Sequence, residues 1–123
     1  MEPIIETQEI IDELQIYISI FQLHKSYLIL ISNFEDMGIG AVSLGSPSTI
    51  EDVKSTSSTY TLFGIDKNLL SKVITERAAY ILKKPVLVLL YLKTKVKEEE
   101  IAKPLVKALN KIFSKIIEKQ KEE

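Results

Sequence analysis

At 123 residues the chain has the length of one domain with one core and no second substrate-binding unit. Its 16 basic and 17 acidic residues leave a net charge of -1, and no segment gathers Lys and Arg with interleaved aromatics, so nucleic acid is excluded as an expected partner. The absence of Cys excludes disulfides and thiolate zinc sites and suits a reducing cytoplasm.

Hydrophobic residues make up 46% of the chain, enough to offset the entropy of ordering a backbone. The acidic start (Glu2, Glu6, Glu9, Asp12, Glu13) is unlike the basic region of a secretory signal, and Pro3 to Glu13 reads as a weak helical segment. The apolar runs are interrupted or too short to cross a bilayer, so no membrane partner is expected. Lys supplies fifteen of the sixteen basic residues beside abundant Ile and Glu, a composition compatible with a thermophile or an AT-rich genome.

Leu14 to Leu23 is rich in Ile and aromatics, which predicts a strand; His24 and Lys25 turn the chain, and Tyr27 to Asn33 returns as a second strand. Glu35 to Gly38 supplies turn residues before a third strand over Ile39 to Leu44, so a three-strand antiparallel meander is expected. Gly45 to Ser58 is polar and Ser/Thr-rich, and Ser46 to Ser58 reads as a mobile loop. Thr59 to Phe63 resumes strand character. Asp66 is a candidate N-cap for a helix over Asn68 to Lys83, which Pro85 stops. Val86 to Leu92 is a continuous apolar strand. The last element carries Ile101, Leu105, Leu109, Ile112, Phe113 and Ile116 at helical spacing, with acids Glu98 to Glu100 at the end that the dipole favours.

In the first predicted strand Ile16, Ile18 and Ile20 point one way and Tyr17, Phe21 and Leu23 the other, and Val86 to Leu92 is apolar on both sides. Two helices cover one face of such a sheet; a partner subunit is the simplest cover for the other. Ile18 and Ile29 are read as the positions that this partner covers, a second copy in a homodimer or a related chain in a heterodimer.

Candidate chemistry is sparse. His24 stands alone in a predicted turn. Glu35 with Asp36 and Glu51 with Asp52 lack the alternate spacing of an EF-hand loop and read as turn acids, although a carboxylate-only Mg or Ca site built from them stays open. Gly38, Gly40 and Gly45 lead into a strand, whereas a dinucleotide loop ends at a helix N-terminus. No G-x-S-x-G elbow surrounds Ser43, Ser46 or Ser48. No catalytic, cofactor-binding or metal-binding residues are assigned.

The segment from Ser26 to Phe113 resembles the proteasome assembly chaperone three and four family, in an archaeal-type version. The similarity lies in the apolar strand before Phe34, then Met37, Gly38, Val42, Ser43 and Leu44, then Ser48 and the Asp52 and Val53 step, then Leu62, Gly64 and Asp66 ahead of a helix, a buried strand and a final helix. The resemblance implies an α/β (α+β) domain, with two helices on one face of an antiparallel sheet and the opposite face used for dimerisation. It implies no cofactor, no enzymatic activity, and assistance to assembly of the proteasome α-subunit ring. The family's loop that contacts α subunits corresponds to Ser46 to Ser58, and Ser48, Ile50, Glu51, Asp52 and Val53 are its candidate partner-binding residues here. Lys121, Glu122 and Glu123 differ from the hydrophobic-Tyr-any tail by which other assembly factors dock on the ring, so that mode is not expected. A generic dimeric scaffold of roadblock or profilin-like type is the alternative, and an enzyme with a carboxylate site is the third reading.

Overall fold

The fold was obtained as a computed structural model, which describes residues 2–47, 56–61 and 68–121; side chains are described for 2–47 and 69–121. The elements are β1 (Ile5–Ile11), β2 (Leu14–Leu23), β3 (Ser26–Ser32), β4 (Ala41–Ser46), β5 (Thr56–Thr61), α1 (Asn68–Leu82), β6 (Val86–Tyr91) and α2 (Glu98–Lys121). The strands form one six-stranded sheet in the order β1-β2-β3-β6-β4-β5. Both helices lie on one face of it, the α+β arrangement that the sequence leads one to expect.

Three details differ from that expectation. Residues 5–11 are an edge strand rather than a weak helix: Ile5, Thr7, Glu9 and Ile11 face inward at a period of two. Glu9 at an inward position masks this period. The sheet is also not a simple meander. β6 enters between β3 and β4 and runs parallel to β3, with Ile29 opposite Val88 and Ile31 opposite Leu90. A strand apolar on both sides belongs at the centre of a sheet, and the return through α1 supplies the long crossover that parallel pairing needs. Finally, Ser46 and residues 56–58 are strand, not loop, because β4 and β5 pair from Ala41 opposite Thr61 to Ser46 opposite Thr56. Thr-rich sequence suits a strand at the sheet edge. The connection between the two is residues 47–55, most of which lies outside the described residues, as does the candidate cap Asp66.

Turns follow local chemistry. Asp12 (φ 50°) and Glu13 (φ 66°) both take the left-handed region in the two-residue β1–β2 turn, the requirement of a type I′ hairpin. Lys83 (φ 56°) ends α1 in the same region, its amide donating to the Ala79 carbonyl, and Lys84 and Pro85 lead into β6. The β3–β4 connection is tied down at both ends. The Asn33 side chain accepts from the Lys93 amide (3.0 Å) and donates to the Lys93 carbonyl (3.1 Å), extending the β3–β6 ladder, and the Phe34 amide donates to the Ser32 hydroxyl. Gly38 then passes over Tyr91 so closely that a Cβ would lie 2.6 Å from its ring.

The core lies between sheet and helices. Ile16, Ile18, Ile20, Ile29, Ile31, Val88 and Leu90 are fully buried there, beneath Leu70, Ile74 and Ala78 of α1 and Ile101, Leu105 and Phe113 of α2. α1 comes close to β4 because Gly45 has no side chain; a Cβ there would meet Thr75 Cγ2 at 2.6 Å. Thr75 in turn donates to the Ser71 carbonyl. Two hydrogen bonds tie the helices together. Glu98, in the first turn of α2, accepts from the Leu70 amide near the α1 N-terminus, and Arg77 Nε donates to Asn110 (3.1 Å). Pro104 sits in the second turn of α2, and the helix continues through it. At the far end the Gln120 amide donates to the Tyr27 hydroxyl, whose ionisation burial pushes above its usual range.

Candidate interaction face

The opposite face of the sheet has neither helix on it. The register places its side chains in rows across four strands. Phe21, Leu28, Leu87 and Leu44 form one row; Ser19, Leu30, Leu89 and Val42 the next; Tyr17, Ser32 and Tyr91 the third. No charge interrupts these rows from β2 to β4; on the edge strand β1 the second row continues to exposed Glu6, opposite Ser19, and the third to Gln8, opposite Tyr17. Leu28, Leu30, Leu87 and Leu89 are only half-buried, each shielded by its neighbours in the sheet, and Leu44 is 52% exposed. At the margin Phe34 packs on Tyr91 with ring centroids 5.6 Å apart, and Ile39 remains exposed. On the edge strand β1, Ile10 is 76% exposed.

Ile18 and Ile29 are not on this face. Both have zero exposure and lie under the helices, so they are core residues with no surface to offer a second copy. The correction follows from parity. In β2 the even-numbered residues face the helices; in β3 the odd-numbered ones do, since Ile18 opposes Ile31 and Ile20 opposes Ile29. The open positions are therefore Leu28 and Leu30, with Leu87 and Leu89 on β6. The signal that sequence offered for this parity is Gly45: a strand position without a side chain marks the face that another backbone approaches.

The candidate partner-binding residues Ser48, Ile50, Glu51, Asp52 and Val53 lie outside the described residues. Their flanks are placed: Ser46 and Thr56 are paired at the end of the β4–β5 hairpin, and β5 is a sheet edge. His24 is exposed in the β2–β3 turn, and Glu35 and Asp36 are exposed in the β3–β4 connection. Among the described residues no group of three or more His, Asp or Glu is placed to hold a metal ion, and no helix is long and apolar enough to cross a membrane. Glu51 and Asp52, the other candidate carboxylates, lie outside the described residues.

No known family model matches the chain, and no curated protein matches it. Among solved structures it is similar to a chain of the crystal structure of a novel chaperone complex for yeast 20S proteasome assembly, with a TM-score of 0.55 and 7% sequence identity. The likeness covers 95% of this chain and 94% of that chain. At this identity it is a likeness of fold, and it extends over nearly the whole of both chains.

Proposed function

We propose that this domain is a non-enzymatic assembly chaperone that dimerises through its open sheet face and binds proteasome α subunits through the β4–β5 loop and the adjacent β5 edge. The observation that carries the reading is the open face, apolar and uncharged from β2 to β4, on a fold similar over nearly its whole length to a chain of a chaperone complex for 20S proteasome assembly. A two-fold contact sets a patch against its own copy, so a patch whose centre carries no charge brings no like-charge repulsion there, with Glu6 left at the β1 edge. Burying such side chains stabilises association by about 25 cal/mol per Å² of apolar surface removed from water. Dimerisation would leave the β4–β5 loop at the sheet edge for a different partner. Action as a chaperone is then differential binding: the dimer holds an incomplete α-ring and leaves when the completed surface competes for the same contacts.

The test is capture of purified α subunit by the native protein and by one in which Ile50, Glu51, Asp52 and Val53 are replaced with Gly and Ser. Capture should fall in the replaced protein while circular dichroism and sedimentation stay unchanged. Equal capture by both removes the loop from the mechanism; capture by neither removes the proteasome from it.

A further inference from the structure

The helix layer carries a second surface of different character. On the outer side of α1, Leu69 is 65%, Val73 40% and Tyr80 53% exposed. At 100° per residue these positions fall within an arc of about 40°, a single apolar row along the helix. Scattered exposed hydrophobics are ordinary; three in one row on a helix held rigid by Leu70, Ile74 and Ala78 beneath it are a ridge. Its margins are basic. Lys72 and Lys83 are exposed on the flank away from α2, and the Lys83 ammonium stands 5.1 Å from the centre of the Tyr80 ring. On the other flank Arg77, bonded to Asn110, leads to exposed Lys103, Lys107 and Lys111 on α2. The only acid within α1, Glu76, borders the row about 20° from Leu69, between Val73 and Tyr80; it is half-buried and already engaged in an interaction of its own, so the exposed charges beside the row are the basic ones.

We infer that this ridge docks an amphipathic helix of another protein whose apolar seam is flanked by Asp and Glu. Side-by-side helices bury an apolar seam between them and choose partners by the charges that flank it. A second copy does not fit, because its α1 would bring Lys72, Arg77 and Lys83 against their own equivalents. Nucleic acid and anionic membrane match the charge alone. Neither uses a narrow, rigid apolar row, which phosphates would leave in water and which is too small to anchor a surface in lipid. The ridge lies across the sheet from the open face and does not include the β4–β5 loop, so it stands or falls independently of the proteasome reading.

The probe is a synthetic amphipathic helix with a Leu seam flanked by Glu, compared with the same helix flanked by Lys, titrated against the full-length protein by fluorescence anisotropy. The Glu-flanked helix should bind and the Lys-flanked one should not. Val73→Ser with Tyr80→Ser should weaken binding at least about tenfold. Lys72→Glu with Lys83→Glu, at exposed sites that leave folding intact, should reverse the preference. Replacing the β4–β5 loop should leave binding unchanged. Equal binding of the two helices, no binding of either, indifference to both pairs of substitutions, or displacement of the helix by anionic vesicles or duplex DNA would each overturn the inference.

Discussion

The two faces of the sheet are built from almost equally apolar rows, yet they differ in what each is made for. Under the helices the rows are Ile20, Ile29, Val88, Ser43 and Ile18, Ile31, Leu90, Ala41; on the open side they are Phe21, Leu28, Leu87, Leu44 and Ser19, Leu30, Leu89, Val42. The covered rows are mostly β-branched and taper to Ala41, Ser43 and Gly45, where α1 comes closest. The open rows favour Leu and aromatics and keep their bulk as far as Leu44. Composition alone does not separate an inside from an interface. The taper does, because small side chains record the close approach of a helix and bulky ones record a surface that meets other side chains.

The sharpest way to break this comparison is to place the same charge on each side. Ile29→Asp buries an unpaired carboxylate beneath the helices, a cost of several kcal/mol against a total stability of about 5–15 kcal/mol, and should unfold the protein as seen by circular dichroism. Leu30→Asp, one residue along, should leave the protomer folded and abolish self-association in a sedimentation experiment. A native chain that sediments as a well-behaved monomer at micromolar concentration, or two variants that unfold alike, would show that the faces are not divided in this way.

Gly45→Ala tests the taper itself. Its Cβ meets Thr75, and the clash should cost about 1–3 kcal/mol in urea unfolding. Adding Thr75→Ser, which removes the struck methyl, should return part of the loss, a coupling that a double-mutant cycle reads directly. A smaller effect is expected at Glu98, which holds the α1 N-terminus from the covered side: Glu98→Ala should cost about 1 kcal/mol, and the helical signal of α1 should fray first.

The smallest effect is electrostatic and confined to alkaline pH. Tyr27 on the covered face has its ionisation raised above 10.0 by burial, with the Gln120 hydrogen bond opposing. The unfolded chain therefore releases this proton first. The contribution of Tyr27 is fully present below about pH 10 and is lost as pH rises through its folded value. In Tyr27→Phe that part of the alkaline decline should vanish, measured as urea midpoints across the alkaline range.

Much of this was legible in the chain. The β2–β3 hairpin is set by His24 and Lys25, and its register follows from a two-residue turn. Both helices and β6 declare themselves by periodicity and by Pro85. What was not legible is non-local. Nothing near Val86 to Tyr91 says that it enters between β3 and β4, and Glu9 facing inward at an edge hides the period of β1. The partition of the open face was missed at Ile18 and Ile29 because parity relates side chains to each other but not to the helices. Periodicity does not separate the apolar row of α1 from its core side, since Val73 fits core spacing as well as Ile74 does yet is 40% exposed.

The late entry of β6 has a consequence for biosynthesis. As the chain leaves the ribosome, β1, β2 and β3 can pair among themselves, and β4 can pair with β5, but these two pieces share no ladder until residues 86–91 have emerged. Until then the inner edges of β3 and β4 are both unpaired, and the Ile rows of β2 and β3 wait for helices still to be completed. The nascent chain therefore passes through an interval in which its future core and its open face are alike exposed; β6 clasps the two pieces of sheet together, and α2, the last element to emerge, closes the core.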